Sequence, residues 1–494
     1  MAAAMDSIGM EDGYGGDYSG GGLGFGWRVV MEATGRGSTP LIPCFFDVSI
    51  LLQHKVLVLV TSSRGFVSID DTIQPSIQLN AKVTGVQTSI IEVDEDGDAI
   101  REDDKAPSQC NEGSVNPILQ NFTNSRSQVY EINGDIRIHG NSSTIFIPSI
   151  PQHPINFNWT TKPYARLHDD IAMERVREFT IIHQTLEKVI PQCNRNFTYP
   201  AIIFSSRGYA GNNFHDYTDL LIPLYSTSQQ FNKNVIFLVS DKSSWWISKY
   251  RLILQNLSNE TIIDINNEKD VLCFPRMIVG LKADKELNID SSESPHISTT
   301  DFTKFLRSTY SLDKEFVNTD CKKTRPRLLI ISRKGSRHLT NEDEIANMSQ
   351  RLGFEVVVRE IGWEVSKMSK FVNSFDVMIG VHGAGITNMV FLPENAVVIQ
   401  IVPFGVDIVA KPYFEEPAKD MKLRYLEYKV SLNESSLFGR YPPDSEVYKN
   451  PDGLYDKGKG WPVFRPIYMD NQDVNVDLNR FRNTLLKALE LVCS

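Results

Sequence analysis

Short apolar runs, spaced so that one helix fits between each pair, constrain this chain more than any other feature. Residues 201–205 (AIIFS) and 234–240 (NVIFLVS) are such runs, bounded by polar turns. Runs that are apolar throughout, rather than alternating, suit strands covered on both faces, as in a parallel sheet. Between them residues 215–228 read as one or two helices. Residues 246–257 then give an amphipathic helix, and 261–265 the next strand. The rhythm restarts after a polar break at residues 319–325. Residues 327–332, 354–359, 376–380 and 396–403 are the strands of this second round, 341–352 and 365–374 its helices, and 476–492 a closing helix. Two successive series of this kind predict an α/β protein with two doubly wound halves and a cleft between them. Ligands in such sheets sit at the carboxyl ends of the strands.

Residues 1–125 lack this rhythm. Residues 1–40 are Gly-rich and acidic and read as disordered; 62–125 include an acidic run at 92–104 and read as a stem. The membrane-anchor candidate is 41–61, interrupted by Asp47, Gln53, His54 and Lys55, whereas a spanning helix needs about 20 mainly apolar residues. The expected domains are therefore 1–125, 126–322 and 323–494.

A formal net charge of -10 speaks against a general nucleic-acid binder, which needs clustered Lys and Arg. The six cysteines (Cys44, Cys110, Cys193, Cys273, Cys321, Cys493) contain no Cys-x-x-Cys pair, so a zinc site is not expected and connectivity stays open. Asn-x-Ser/Thr acceptor sequences stand at Asn121, Asn141, Asn158, Asn196, Asn256, Asn259, Asn347 and Asn433. Their number favours a lumenal or secreted catalytic region.

Three clusters can carry chemistry. Ser332-Arg333-Lys334-Gly335-Ser336-Arg337 follows a strand end, where arginine forks suit a diphosphate. His382-Gly383-Ala384-Gly385-Ile386-Thr387-Asn388 is a Gly-rich turn running into an expected helix start. Glycines there let backbone N–H groups approach a phosphate, and His382 could hydrogen-bond a leaving one. In the first half, His215 and Asp219 stand at i, i+4 with Asp216 close by, a plausible general base with carboxylate help. Gly-x-Ser-x-Gly, His-Glu-x-x-His and kinase signatures are absent from the sequence. Asp-x-Asp occurs only in the acidic run at Asp94, Asp96 and Asp98, so a metal-chelated diphosphate is not supported.

Taken together, the blocks at 208–219, 244–250 (SWWISKY), 273–276 (CFPR), 331–337 with 341–344, 380–393 and 423–429 resemble glycosyltransferase family 61. The spelling is nearest its plant branch of xylan arabinosyltransferases and xylosyltransferases, from about residue 130 to 492. The resemblance implies a GT-B-like pair of Rossmann-type domains, with the acceptor on the 126–322 side and the nucleotide sugar on the 323–494 side. It implies inversion at the anomeric carbon, UDP-arabinofuranose or UDP-xylose as donor, a xylan acceptor, and Golgi-lumenal placement as a type II membrane protein. No cofactor is required by it, and a divalent metal is left open. Carried onto this chain, Ser332, Arg333, His382, Gly383, Ala384, Gly385 and Asn388 match the donor-binding motifs, and His215 with Asp216 the block supplying the acceptor base. The chain departs from the family in its weak anchor and in Tyr130, where a Cys commonly precedes Gly134-Asp135-Ile136-Arg137, so that Cys110 would lack a partner. It departs also in Ser206-Arg207-Gly208, which replaces a small, Gly-rich turn. The alternative reading is a non-catalytic UDP-sugar-binding partner in a Golgi xylan synthase complex.

Overall fold

The computed structural model describes residues 118–148, 157–184, 190–292, 296–456 and 460–494. All belong to one compact unit, Ala106–Ser494. The expected disordered segment, the anchor candidate and residues 62–117 of the stem lie outside the described residues. Among the described residues, no helix is long and apolar enough to cross a membrane.

Two sheets form the frame. The second is fully parallel and has five strands, in the order Glu355–Glu360, Arg327–Ser332, Val377–Val381, Val397–Val402, Arg424–Lys429. Its central strands are buried along their whole length, which is why they read as unbroken apolar runs. The first sheet is mixed and has ten strands. Its parallel block runs Val271–Val279, Ala201–Ser205, Ile236–Ser240, Ile263–Asp264.

The expectation of a purely parallel first half is corrected by what continues from Val271–Val279. Tyr130–His139 pairs with it antiparallel, and Ile118–Asn121 and Thr144–Pro148 extend that side. From Ile136 onward Tyr130–His139 alternates buried and half-buried residues, the pattern of an antiparallel strand with one wet face. The first sheet thus begins at Ile118, ahead of the boundary drawn at 126. Pro275, which has no N–H for the ladder, falls at a register shift opposite Gly134 and Asp135. Two of the recognisable blocks therefore meet as neighbouring strands with a structural role.

One apolar core runs from Val129 to Val492 and includes both sheets. Helix Thr299–Tyr310, assigned by sequence to the first half, also touches the second: Tyr310 packs edge-on against Phe391 at 5.9 Å, and Arg307 pairs with Glu394 at 3.1 Å. Disulfides join Cys193 to Cys273 and Cys321 to Cys493. The second ties the segment between the sheets to the end of helix Leu478–Val492. Cys44 and Cys110 lie outside the described residues.

Candidate active site

In the second sheet the chain lays down its strands in the spatial order second, first, third, fourth, fifth. The direction of winding reverses between Arg327–Ser332 and Val377–Val381, and the crevice at such a switch point is where doubly wound sheets bind ligands. The loops leaving these two strands carry the first two sequence clusters, and the fold brings them together. Gly383 has φ +145, and a Cβ built on it would lie 2.7 Å from Arg333 Nη1 and 3.4 Å from Arg337 Cζ. Both guanidiniums thus close over a position that only glycine leaves open.

These arginines lack the usual compensation. Among the described residues neither has a carboxylate within ion-pair distance. Arg333 Nε donates to the Ser336 carbonyl at 3.1 Å, Arg337 Nη1 contacts Met469 Sδ at 3.3 Å, and buried Arg337 Nε has no partner. Burial pushes the Arg333 pKa down, and burial together with Arg333 pushes Arg337 down to about 10. A half-buried cation pair with no ion-paired carboxylate, and only Asp470 acting on Arg337 from a distance, is unfavourable by itself and favourable around an anion.

His382 is buried beside them. Its Nδ1 lies 2.7 Å from Gln400 Nε2, and Gln400 Oε1 accepts from the Tyr425 hydroxyl at 2.7 Å. Because the Gln400 carbonyl is occupied by a donor, its amide donates to Nδ1, and the imidazole proton sits on Nε2. Burial, then Arg337 and Arg333, push the His382 pKa down to about 3. The ring is a neutral Nε2–H donor.

Other assigned residues serve the turn itself. The Ser332 hydroxyl donates to Glu342 Oε1 at 2.9 Å, and the Asn388 amide donates to the Gly385 carbonyl at 2.9 Å. Ala384 is half-buried against the core. The expected helix start is a 3-10 stretch, Ile386–Phe391. So short an element carries little macrodipole, and the positive potential comes from the arginines instead.

The parallel block of the first sheet repeats the arrangement. Its winding reverses between Ala201–Ser205 and Val271–Val279, and the loops leaving these strands lead to His215 and Glu286. His215 Nδ1 lies 2.9 Å from Asp219 Oδ2. Asp219 is fully buried and also accepts from Arg126 Nη2 at 2.8 Å, Arg166 Nε at 2.9 Å and the Tyr164 hydroxyl at 2.8 Å. Glu286 completes the network, accepting from Arg126, Arg166 and Thr218. Burial alone would raise the Asp219 pKa, but Arg166, His215 and Arg126 outweigh it and hold the carboxylate down at about 2. An ionised Asp219 keeps the proton on His215 Nδ1 and leaves Nε2 as an acceptor.

The assignment of Asp216 as helper is corrected. Asp216 is fully buried and its oxygens are taken up by Gly211 N (2.8 Å), Trp246 Nε1 (2.9 Å), Tyr250 OH (2.7 Å) and Lys249 Nζ (3.0 Å). Adjacent residues on a helix point apart, whereas i and i+4 share a face, so Asp219 meets His215. The stretch Asp216–Leu221 is a π-helix; Pro223, with no N–H to return to the Asp219 carbonyl, follows it.

The two switch points border a common aromatic wall. Phe214 stacks on Tyr413 at 4.9 Å, and Phe414 meets both Phe214 (5.7 Å) and His382 (5.3 Å). A pocket of about 410 Å³ opens beside it, lined by Arg126, Arg166 and Glu286 from one side and Pro412 and Glu416 from the other. Sequence reasoning counted Arg337 only within the cation cluster at 332–337, left Tyr425 without a role although it lies in a recognisable block, and gave Gln400, Arg126 and Arg166 no signal at all.

The family profile described as Glycosyltransferase 61 matches residues 142–399, just over half of the chain, including both switch-point loops. An alpha-1,3-arabinosyltransferase of Oryza sativa subsp. japonica is 42% identical over 80% of this chain and 68% of its own length. A beta-1,2-xylosyltransferase of the same organism is 37% identical over 75% of this chain and 83% of its own. A xylan glycosyltransferase of Arabidopsis thaliana is 36% identical over 74% and 78%. With a profile match over more than half its residues and relatives of this identity over most of their length, the chain belongs to the glycosyltransferase 61 family.

Proposed function

We propose that the chain is an inverting glycosyltransferase that moves arabinofuranose or xylose from a UDP-sugar to a xylan acceptor. The observation that carries this reading is the pair of half-buried arginines without an ion-paired carboxylate, with a neutral histidine donor on the same glycine turn. That arrangement suits a diphosphate whose charge grows as its bond to the sugar breaks. The printed activities of the relatives supply the sugar and the acceptor.

In the step this implies, His215 Nε2 takes the proton of an acceptor hydroxyl while that oxygen bonds to the anomeric carbon from the face opposite UDP. The bond from that carbon to the diphosphate oxygen breaks with its electron pair. UDP carries the charge away, held by Arg333, Arg337 and the Nε2–H of His382. Asp219 orients His215 through its contact with Nδ1. The two sheets act as the two lobes of a GT-B-like enzyme, the first facing the acceptor and the second the donor. Around Gly383 the residues supply cations rather than a carboxylate cluster. Among the described residues, the one grouping of possible metal-ligand atoms is Asp135 with Cys193 and Cys273, whose sulfurs are tied in a disulfide. No step is therefore routed through a metal ion.

The same reading places the protein in the Golgi lumen. Two disulfides suit an oxidising compartment. Of the candidate glycosylation asparagines all but Asn256 are exposed; the Asn256 amide donates to the Leu252 carbonyl at 3.0 Å. Incubating the purified full chain with UDP-arabinofuranose or UDP-xylose and xylo-oligosaccharides tests the function, with the anomeric configuration of the product read by NMR. Transfer with inversion is expected. UDP binding without transfer to any xylan acceptor would instead identify a non-catalytic partner.

A further inference from the structure

A tryptophan pair opens the helix Ser244–Lys249. Trp246 is fully buried and its Nε1 donates to Asp216. Trp245, beside it, is 52% exposed. Asp216 also accepts from Gly211 N, so one buried carboxylate fastens this helix to the loop that leads into His215. At Gly211, with φ +109, a Cβ would stand 3.3 Å from the edge of the Trp245 ring; the indole thus backs onto that loop. Two residues earlier, the Tyr209 ring lies 4.5 Å from the ring of His215. The exposed indole, on the segment after Ile236–Ser240, and the half-buried imidazole, on the segment after the neighbouring strand Ala201–Ser205, are thereby tied to one loop.

We propose that Trp245 is the stacking platform for a pentopyranose ring of the acceptor chain, one or more sugars away from the hydroxyl that His215 deprotonates. The proposal rests on the acceptor-side reading given above. A xylopyranose ring has no exocyclic hydroxymethyl group, so both its faces present C–H bonds. Such a face buries apolar area against an indole, and the ring quadrupole attracts the polarised hydrogens. A large aromatic left in water beside a reactive group is the feature a sugar chain would cover. Asp216 then has a positioning role: it acts through the helix that presents Trp245.

The test uses the full chain with Trp245→Ala, Trp245→Phe and, as control, Trp363→Ala. Trp363 is 79% exposed and follows the edge strand Glu355–Glu360 of the other sheet. With saturating donor, Trp245→Ala is expected to raise KM for xylohexaose about tenfold, with kcat and UDP affinity within about twofold and xylobiose little affected. Trp245→Phe recovers most of the loss, and Trp363→Ala loses nothing. Equal effects on the two acceptor lengths, or an equal effect of Trp363→Ala, would overturn the proposal. Should the unaltered chain transfer no pentose at all, the functional reading falls and the platform is judged by binding alone. Quenching of tryptophan fluorescence by xylohexaose that disappears in Trp245→Ala sustains it, and unchanged quenching ends it.

Discussion

Both switch points hold two arginines and a histidine, yet they treat charge in opposite ways. At the first sheet Arg126 and Arg166 face Asp219 and Glu286, and every carboxylate oxygen has a donor. At the second, Arg333 and Arg337 crowd Gly383 with no carboxylate in ion-pair contact among the described residues, Asp470 acting on Arg337 only from a distance, and His382 is kept neutral by burial and by those cations. A compensated network has its charges paired before any substrate arrives and can hold one histidine nitrogen in a fixed state. An uncompensated one is completed only by an anion. The contrast assigns the base to one sheet and the leaving group to the other.

The largest expected effect is on the base. His215→Ala should lower kcat by about 10²–10⁴, the usual worth of a positioned general base; turnover unchanged in a stopped assay would remove His215 from the chemistry. Next, the charge contrast should show in stability without any ligand. Asp219→Asn leaves Arg126 and Arg166 buried and short of charge, and should cost about 3–5 kcal/mol in urea unfolding. Arg337→Met removes a desolvated cation and should leave the unliganded protein as stable or more so. A loss as large as that of Asp219→Asn would mean the second site is compensated after all.

Arg333→Ala and His382→Ala should each lower turnover by about 10²–10³, as for other donors to a developing oxyanion. Full activity in both would withdraw the diphosphate assignment. The smallest effects are in the pH dependence of stability. His382 takes up a proton near pH 6.5 when unfolded but only near about 3 when folded, so stability falls as pH drops through that window. His382→Gln should flatten the fall. Asp219, lowered from 3.8 to about 2, contributes stability that is present above pH 3.8 and lost as pH falls toward 2. That contribution, about 2 kcal/mol, should be absent in Asp219→Asn. Urea midpoints measured from pH 7 to 2 separate the two, the His382 window opening below 6.5 and the Asp219 window below 3.8.

Buried parallel strands were legible because their signal is local. Arg327–Ser332 and Ala201–Ser205 stand where their apolar runs predict. The helix expected at 246–257 is broken at Tyr250 into Ser244–Lys249 and Arg251–Leu257, because the Tyr250 hydroxyl and the Trp246 indole are both drawn to Asp216. The antiparallel strands were not legible: Tyr130–His139 finds its partner Val271–Val279 well over a hundred residues away, and its burial is set by that pairing. At the site, the i, i+4 spacing announced His215 with Asp219, but proximity in sequence wrongly promoted Asp216. Arg126 and Arg166 belong to the site only because two loops, one between Ile118–Asn121 and Tyr130–His139 and one after Phe157–Thr161, bring them to Asp219, and no spacing encodes that.

Calorimetric titration of UDP into the His215→Ala and Arg337→Ala chains tests the division of labour most directly. His215→Ala is expected to bind UDP as the unaltered protein does, and Arg337→Ala at least about tenfold more weakly, the scale of one charge-assisted hydrogen bond. UDP affinity lost in His215→Ala and kept in Arg337→Ala would contradict it.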